Sequence, residues 1–400
     1  MRVLLSASTF PLQRGDGLPG FVWDLARALS DRIAVTVLAP GAPGAPEAEI
    51  WDGVRVRRFT YFVPRSWQRL TYGDGIDVNL RRSWRARATP PFFLAAQARA
   101  IRVRVDADGI DVVNSHWILP QGLTAALARG RRRRFGHVVT LHGGDAHLLA
   151  RLPGASGIAR FILGRTDALL ASSTSVREVF DGALGAASGA HIQPMGVHVK
   201  AFRGAAPPDE QPFPQGYVVY VGRLQEIKGV RHLLRALPRV RDRHPGIGLV
   251  VVGYGEQEGA LRQQARDLGL AEAVRFEGHQ PPAAVARWLR GCRAAVVPSV
   301  RMPGGRAEGM PTVVLEALAA GAPLVATKTG GIPDVVRSGE NGWLCRDRDP
   351  EDLAARVLEA LAAGREGVAQ AAAVTADAHD WAHVANHYLE VYEQVVRGDA

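Results

Sequence analysis

The sequence predicts an α/β protein of two domains, each built on a parallel sheet. Three observations carry this. At 400 residues the chain exceeds one ordinary core and suits two of roughly 150–200 residues. Short β-rich runs alternate with helical patterns along its whole length, the signature of parallel strands joined by right-handed crossovers. The alternation stops at a Pro/Gly-rich stretch, about Gly204–Gly216, and restarts at Tyr217.

In the first half, Val3–Ser6 reads as a buried strand, too short an apolar run for a signal peptide. Gly20–Leu29 follows as a helix, with Phe21, Leu25 and Leu29 on one face. Ala34–Leu38 and Val54–Phe59 are strands, separated by the loop Ala39–Pro46. Residues 60–93 read as irregular, aromatic and basic. Beyond them come a helix (Leu94–Val105), the strand Asp111–Asn114, a helix (Leu123–Ala128), the strand His137–Leu141, a helix (Ser156–Leu163), the strand Ala168–Ala171 and a helix from Thr174. His191–Gln193 ends this half. In the second half, Tyr217–Val221, Gly248–Val252, Val274–Glu277, Ala294–Pro298 and Leu324–Thr327 are strands. Runs such as YVVYV and GLVVVG suit a sheet covered on both faces. The tail from His379 to Val396 is helical. The expected domains are 1–203, a linker 204–216, 217–375, and a closing helix 376–400.

Apolar residues make up 47% and charged residues 22%, a soluble globular profile, and no run of about 18 apolar residues marks a membrane span. Cys292 and Cys345 make neither a disulfide framework nor a metal quartet, and idle thiols in a reducing cytoplasm are expected. Lys plus Arg is 49 against 39 Asp plus Glu, a balance of +10 that favours anionic partners. Part of the excess is local: residues 51–100 hold Arg55, Arg57, Arg58, Arg65, Arg69, Arg81, Arg82, Arg85, Arg87 and Arg99 against Asp52, Asp74 and Asp77.

Two segments point to chemistry. In Ala307–Thr327, Pro311 suits the first turn of a helix and Gly321 its end. Glu308 lies before that helix and Glu316 within it, flanking a helix N-terminus that attracts anions. A carboxylate on each side of such a site suits a ligand with phosphate at its centre and hydroxyls at both ends. In Val221–Gly229, a buried strand ends at Gly222, and Arg223 and Lys228 project from the loop, where α/β sheets bind ligands. Two cations there match a diphosphate. The plain alternatives are solvated helix acids and solvated loop cations.

Taken together, VGRLQEIKG, the spacing of Glu308 and Glu316, and PMGVHVKAF (Pro194–Phe202) resemble the retaining GT-B glycosyltransferases of family four, as do GDGLPGFVWDLARAL and TLHGGD. The resemblance spans nearly the whole chain, with the motifs in the family's order. It implies two Rossmann-like domains with parallel sheets facing across a cleft, and a C-terminal helix crossing back to the first, suited to Trp381 and Tyr388. It implies that Arg223 and Lys228 hold the donor diphosphate, with Gly253 and Gly255 in the turn beside the nucleotide and Gly222 among the substrate-binding residues. Glu316 would bind ribose; Glu308, with Gly309, Met310 and Pro311, the transferred sugar. His142 would face that sugar. Gly15, Gly17 and Gly20 would lie near the distal phosphate, although Leu18 and Pro19 break the commoner Gly-Gly form. Asp145 stands where it could meet the acceptor hydroxyl as a base, or serve only the turn. His116 is a further cleft candidate or a structural strand-end histidine.

No metal or other cofactor is expected. The paired acids of DRDPED (Asp347–Asp352) read as a helix N-cap. Gly253–Gly259 misses the dinucleotide spacing, and the run 131–134 lacks the interleaved aromatics of a nucleic-acid site. The expectation is a cytoplasmic enzyme using a UDP- or GDP-sugar on a glycan, glycolipid or small-molecule acceptor in envelope glycan synthesis. Residues 61–93 would touch an anionic membrane at its inner face. A nucleotide-sugar epimerase or hydrolase on the same fold, and a basic nucleic-acid-binding protein, are the alternatives.

Overall fold

The computed structural model describes residues 1–13, 20–73, 76–130 and 135–399. They form two compact units. The first comprises Met1–Ser172, Val176–Pro194 and Val384–Ala400; the second comprises Ser173–Ser175 and Met195–His383. The Pro/Gly-rich stretch 204–216 lies within the second, where Phe213 packs against the core.

The first unit holds an eight-stranded sheet ordered β3-β4-β2-β1-β5-β6-β7-β8. Its strands are β1 (Arg2–Ser6), β2 (Ala34–Pro40), β3 (Ala48–Trp51), β4 (Val54–Phe59), β5 (Val112–His116), β6 (Gly136–Leu141), β7 (Ala168–Ala171) and β8 (His191–Ile192). All pairs are parallel except β3 with β4, which is antiparallel. Strict parallel alternation therefore fails at this edge. The cause is local: Asp52 and Gly53 both take positive φ (43° and 87°), the two-residue turn that closes a hairpin.

The segment read as irregular is more ordered than expected. It carries helices Ile76–Arg82 and Trp84–Ala88, the second capped by the Ser83 hydroxyl. Pro90, with its φ preset, opens the 19-residue helix that ends at left-handed Gly109. Phe93 and Ile101 of that helix pack with Leu4, Phe59 and Val113 on one face of the sheet. Val139, Leu149 and Phe180 fill a second cluster. The closing helix Trp381–Arg397 brings Tyr392 onto this unit, where its hydroxyl accepts from Asn114 at 2.8 Å. A Cβ on Gly136 would meet Val395 at 2.3 Å, so only glycine lets the helix approach there.

The second unit holds a six-stranded, wholly parallel sheet ordered β11-β10-β9-β12-β13-β14. Its strands are β9 (Tyr217–Val221), β10 (Gly248–Val252), β11 (Val274–Gly278), β12 (Ala294–Val297), β13 (Leu324–Thr327) and β14 (Trp343–Cys345). Tyr217 and Val219 face one core, Val218 and Tyr220 the other, so β9 is covered on both sides. From β9 the chain builds outward through β10 and β11, then returns to β12 on β9's other side. The order reverses between β9 and β12, and the crevice at such a switch point is where open α/β sheets bind ligands. No helix of the described residues is long and apolar enough to cross a membrane.

Candidate functional site

At the switch point of the second unit, backbone crossings fix the loops. Gly222 leaves β9 at φ 151° and donates its N–H to Val252 at 2.9 Å. Gly253 leaves β10 at φ 137°, and a Cβ there would lie 1.9 Å from the Gly222 carbonyl oxygen. A side chain at Gly253 would thus collide with backbone. Buried Tyr220 donates its hydroxyl to the Arg223 carbonyl at 2.8 Å, setting the start of the loop. Burial, and then the nearby Glu308 carboxylate, push that phenol well above its ordinary range. Farther along, Gly229 passes so close to the Pro298 carbonyl that a Cβ would sit 1.9 Å from it, and Val300 N–H donates to Ile227 at 2.8 Å. The loop after β9 is thereby clamped to the loop after β12.

The clamp brings cation and acid together. Lys228 Nζ pairs with Glu308 Oε1, their side chains 20% and 15% exposed. The other oxygen, Oε2, accepts from the hydroxyl of Ser299. Ser299 is itself held: its carbonyl accepts from the hydroxyls of Thr327 and Thr329. The Glu308 carbonyl abuts Gly330, where a Cβ would lie 1.9 Å away, and accepts from Gly331 N–H. Gly309 and Met310 lead to Pro311, the N-cap of the helix Thr312–Ala319, which carries half-buried Glu316. Arg223 is exposed at the same strand end. Sequence reasoning named Arg223, Lys228, Glu308 and Glu316; it missed Tyr220, Ser299, Thr327 and Thr329. The only signal for these was a hydroxyl at or just beyond a strand end.

At the carboxyl ends of β5 and β6, the first unit gathers neutral groups. His116 Nδ1 and His142 Nε2 lie 3.1 Å apart, the rings nearly parallel at 21°. Phe21 and Trp117 flank His142, with centroids 4.7 and 5.1 Å away. Desolvation holds His116 down at about 3, and desolvation plus His116 keep His142 well below the usual imidazole range. Asp145 is 4% exposed. Its carboxylate accepts from the backbone N–H of Ile118 (2.7 Å), His142 (3.0 Å) and Gly143 (2.9 Å). The structure thus joins Asp145 to the turn that aims His142. Sequence reasoning missed the flanking rings; Trp117, a non-glycine at φ 80°, gives no sign of it in sequence. Gly20 precedes the helix Phe21–Ser30. Gly15, Gly17 and the run 131–134 lie outside the described residues.

The decoys resolve simply. Asp349 caps the helix Pro350–Ala363, accepting from Glu351 and Asp352 N–H, as the sequence indicates. Gly255 is needed because a Cβ there would press on the Leu224 carbonyl at 2.4 Å. Cys292 and Cys345 are buried, unbridged thiols, both pushed up to about 12 by burial. Among the described residues, no group of three or more His, Cys, Asp or Glu is placed to hold a metal ion.

The chain matches the model of glycosyltransferase family 4 over residues 15–201 and that of glycosyl transferases group 1 over residues 215–363. A GDP-mannose-dependent alpha-(1-6)-phosphatidylinositol monomannoside mannosyltransferase of Mycobacterium tuberculosis is 30% identical over 93% of this chain and 92% of its own. A D-inositol 3-phosphate glycosyltransferase of Acidothermus cellulolyticus is 29% identical over 98% of this chain and 90% of its own. A glycogen synthase of Mycobacterium tuberculosis is 40% identical, but the match spans only 46% of this chain and 43% of the synthase. In structure, the chain resembles a sucrose-phosphate synthase from Thermosynechococcus elongatus (TM-score 0.75, 20% identity, 99% of both chains). It also resembles Anabaena HepE, solved with UDP-glucose (TM-score 0.69, 19% identity, 98% of this chain and 100% of that one). The fold is that of the GT-B enzymes, and the chain belongs to glycosyltransferase family 4.

Proposed function

We propose that the protein moves a sugar from a nucleoside-diphosphate sugar to a hydroxyl acceptor, with retention and without a metal. The observation that supports a donor site here is the Lys228–Glu308 pair, clamped at the switch point beside a helix N-terminus; retention and metal independence follow from the family resemblance alone. The second unit is then the donor domain. Lys228, Arg223 and the helix amides meet the diphosphate, and Glu316 the ribose. Glu308, Gly309 and Met310 meet the sugar. As the bond from the anomeric carbon to the phosphate oxygen breaks, the cations take up the negative charge on the leaving group. The acceptor oxygen bonds to the same face of that carbon, and its proton passes to the departing phosphate. Neutral His142 contributes a hydrogen bond. Asp145, engaged with backbone, holds the His142 turn and is not the base. The GDP-mannose dependence of one relative and the UDP-glucose complex of one structural neighbour support a UDP- or GDP-sugar.

The test is a thermal-shift and turnover screen with UDP-, GDP-, ADP- and dTDP-sugars. A donor at 100 times its Kd stabilises by about 2.7 kcal/mol, and turnover should survive EDTA. Interconversion of the donor without an acceptor would favour an epimerase. Salt-sensitive binding of nucleic acid, with no response to any sugar nucleotide, would overturn the reading.

We also propose that the first unit is the acceptor domain, working at the inner face of an anionic membrane. One surface favours this. Phe62 stacks on Trp67 at 5.2 Å, and Trp84 and Phe92 pack edgewise on that pair at 5.1 Å each. Val63, Trp84 and Phe92 are 80%, 64% and 53% exposed. Arg85 lies over both indoles. Aromatic rings suit the polar–apolar boundary, and arginines attract acidic head groups. Arg87, however, donates to the carbonyls of Leu80 and Arg81, and Arg65 pairs with Glu47, so those two are engaged within the fold. Co-sedimentation with anionic vesicles at low salt, lost in a Trp84→Ser, Phe92→Ser variant, is the expected result. Equal binding to neutral vesicles, or none, would leave a soluble acceptor.

A further inference from the structure

We propose that Ser299 is a positioning residue that decides which oxygen of Glu308 reads the donor sugar; this rests on the donor-site reading above. The two carboxylate oxygens have different partners. Oε2 is bound by a hydroxyl that cannot follow a ligand: Ser299 is 1% exposed, and its carbonyl is tied to Thr327 and Thr329 on the neighbouring strand end. Oε1 is bound by Lys228, an ammonium on a flexible stem that can swing. When a diphosphate arrives, Lys228 has a stronger anion to meet. Its departure frees Oε1 alone. The carboxylate neither turns nor loses its remaining hydrogen bond, so Oε1 faces outward with an open lone pair for a sugar hydroxyl.

The arrangement makes the two halves of the donor interdependent. The diphosphate draws Lys228 away, and only then can Glu308 accept from the sugar. Without the Ser299 hydroxyl, the carboxylate can rotate about its terminal torsion, which is broad and weakly restrained. Both oxygens then compete for Lys228, and the sugar loses a fixed acceptor. Lys228 still leaves Glu308 for the diphosphate, and Arg223 and the helix amides keep their places. Ser299 is therefore a determinant of sugar binding and leaves the nucleotide to other residues.

The experiment compares Ser299→Ala and Ser299→Thr with the unaltered protein, by calorimetric titration with UDP and GDP and with UDP-glucose and GDP-mannose. Thermal unfolding confirms the fold. In Ser299→Ala, affinity for the sugar nucleotide that binds should fall about tenfold, the scale of one charge-assisted hydrogen bond. Affinity for the matching nucleoside diphosphate should stay within about twofold. Ser299→Thr, which keeps the hydroxyl, should restore the preference for the sugar nucleotide. If the two ligands weaken together in Ser299→Ala, or neither changes, Ser299 is only packing and the inference falls while the donor site stands. If neither class of ligand binds the unaltered protein, the donor-site reading falls as well.

Discussion

The two units end their central strands in opposite ways. In the second, the loops after β9 and β12 collect charge: Arg223, Lys228 and Glu308, with backbone crossings at Gly222, Gly229 and Gly253 that hold them in register. In the first, the ends of β5 and β6 collect neutral rings: His116, His142, Phe21 and Trp117, with Asp145 turned inward onto backbone N–H groups. The same sheet geometry thus serves two chemistries. One strand end gathers groups that suit an anion, the other neutral rings and a hydrogen-bonding imidazole. On the proposed function, the first suits a charged leaving group and the second offers a neutral hydrogen bond to the transferred sugar.

The largest expected effects test the charged side. Lys228→Ala and Arg223→Ala should each lower kcat/KM by roughly 10²–10³, the usual loss when a group stabilising a developing charge is removed. Circular dichroism should be unchanged in both; Tm should hold in Arg223→Ala, whose side chain is exposed, and fall in Lys228→Ala, which leaves the Glu308 carboxylate without its cation. Unchanged kcat/KM in both would reduce this strand end to solvated cations and erase the contrast. On the neutral side, His142→Ala should cost roughly tenfold to a hundredfold, and His142→Asn, which keeps a neutral hydrogen-bonding group, should recover part of it. Equal losses in the two would mean that the imidazole's proton chemistry, not its hydrogen bond, is used.

How much of this the sequence discloses follows the same division. Charged groups at the ends of apolar strands stand out, because nothing in a buried sheet needs them; Arg223, Lys228 and Glu308 are legible for that reason. The apolar strands of the second unit are legible too, and Tyr217–Val221 and Gly248–Val252 run as predicted. What escapes is whatever depends on a neighbour distant in sequence. Ser299 looks like any strand-end hydroxyl until Glu308 is placed beside it. The edge strand β3 shows no strong alternation, and β14 has only three residues, too few for a pattern. Asp52-Gly53 was a readable hairpin signal. Pro90 and Pro91, at the end of the segment expected to be irregular, instead open a long helix.

The units should also differ in acid. His116 and His137 are fully buried in the first unit and held at about 3 and about 4, chiefly by desolvation. The unfolded chain takes up their protons near pH 6.5, and the folded chain does not. Each histidine therefore contributes stability that is complete above pH 6.5 and is lost as pH falls toward its folded value, at about 1.4 kcal/mol per pH unit. In the second unit, half-buried His232 has a lowered value, set chiefly by desolvation. Amide protection, measured relative to the intrinsic exchange rate from pH 7.5 to 4.5, should therefore fall in β5 and β6 before β9 and β10. His137→Gln should flatten the acid limb of the urea midpoint. Simultaneous loss in both units would show that burial of these imidazoles does not set the acid response.

The smallest expected effect on turnover is also the sharpest test of the contrast. Asp145 and Glu308 are both strand-end acids, but their oxygens are spent differently. Glu308 shares its carboxylate with a lysine and a hydroxyl. Asp145 accepts three backbone N–H groups, and burial raises its carboxyl above the usual range in spite of them. In Asp145→Asn, the amide oxygen can still accept from His142 and Gly143, but the amide nitrogen faces the Ile118 N–H, donor against donor. A buried, unsatisfied donor costs about 1–3 kcal/mol, partly offset because the amide carries no charge to desolvate. The expected outcome is a lower urea midpoint, with kcat reduced less than about tenfold and the low-pH limb of its pH profile kept. The residual loss in kcat would come from a looser His142 turn. A fall of 10³ in kcat with an unchanged midpoint would mean that Asp145 takes the acceptor's proton. The first unit would then hold a working charge of its own, and the division between an anion-binding strand end and a neutral one would no longer describe the protein.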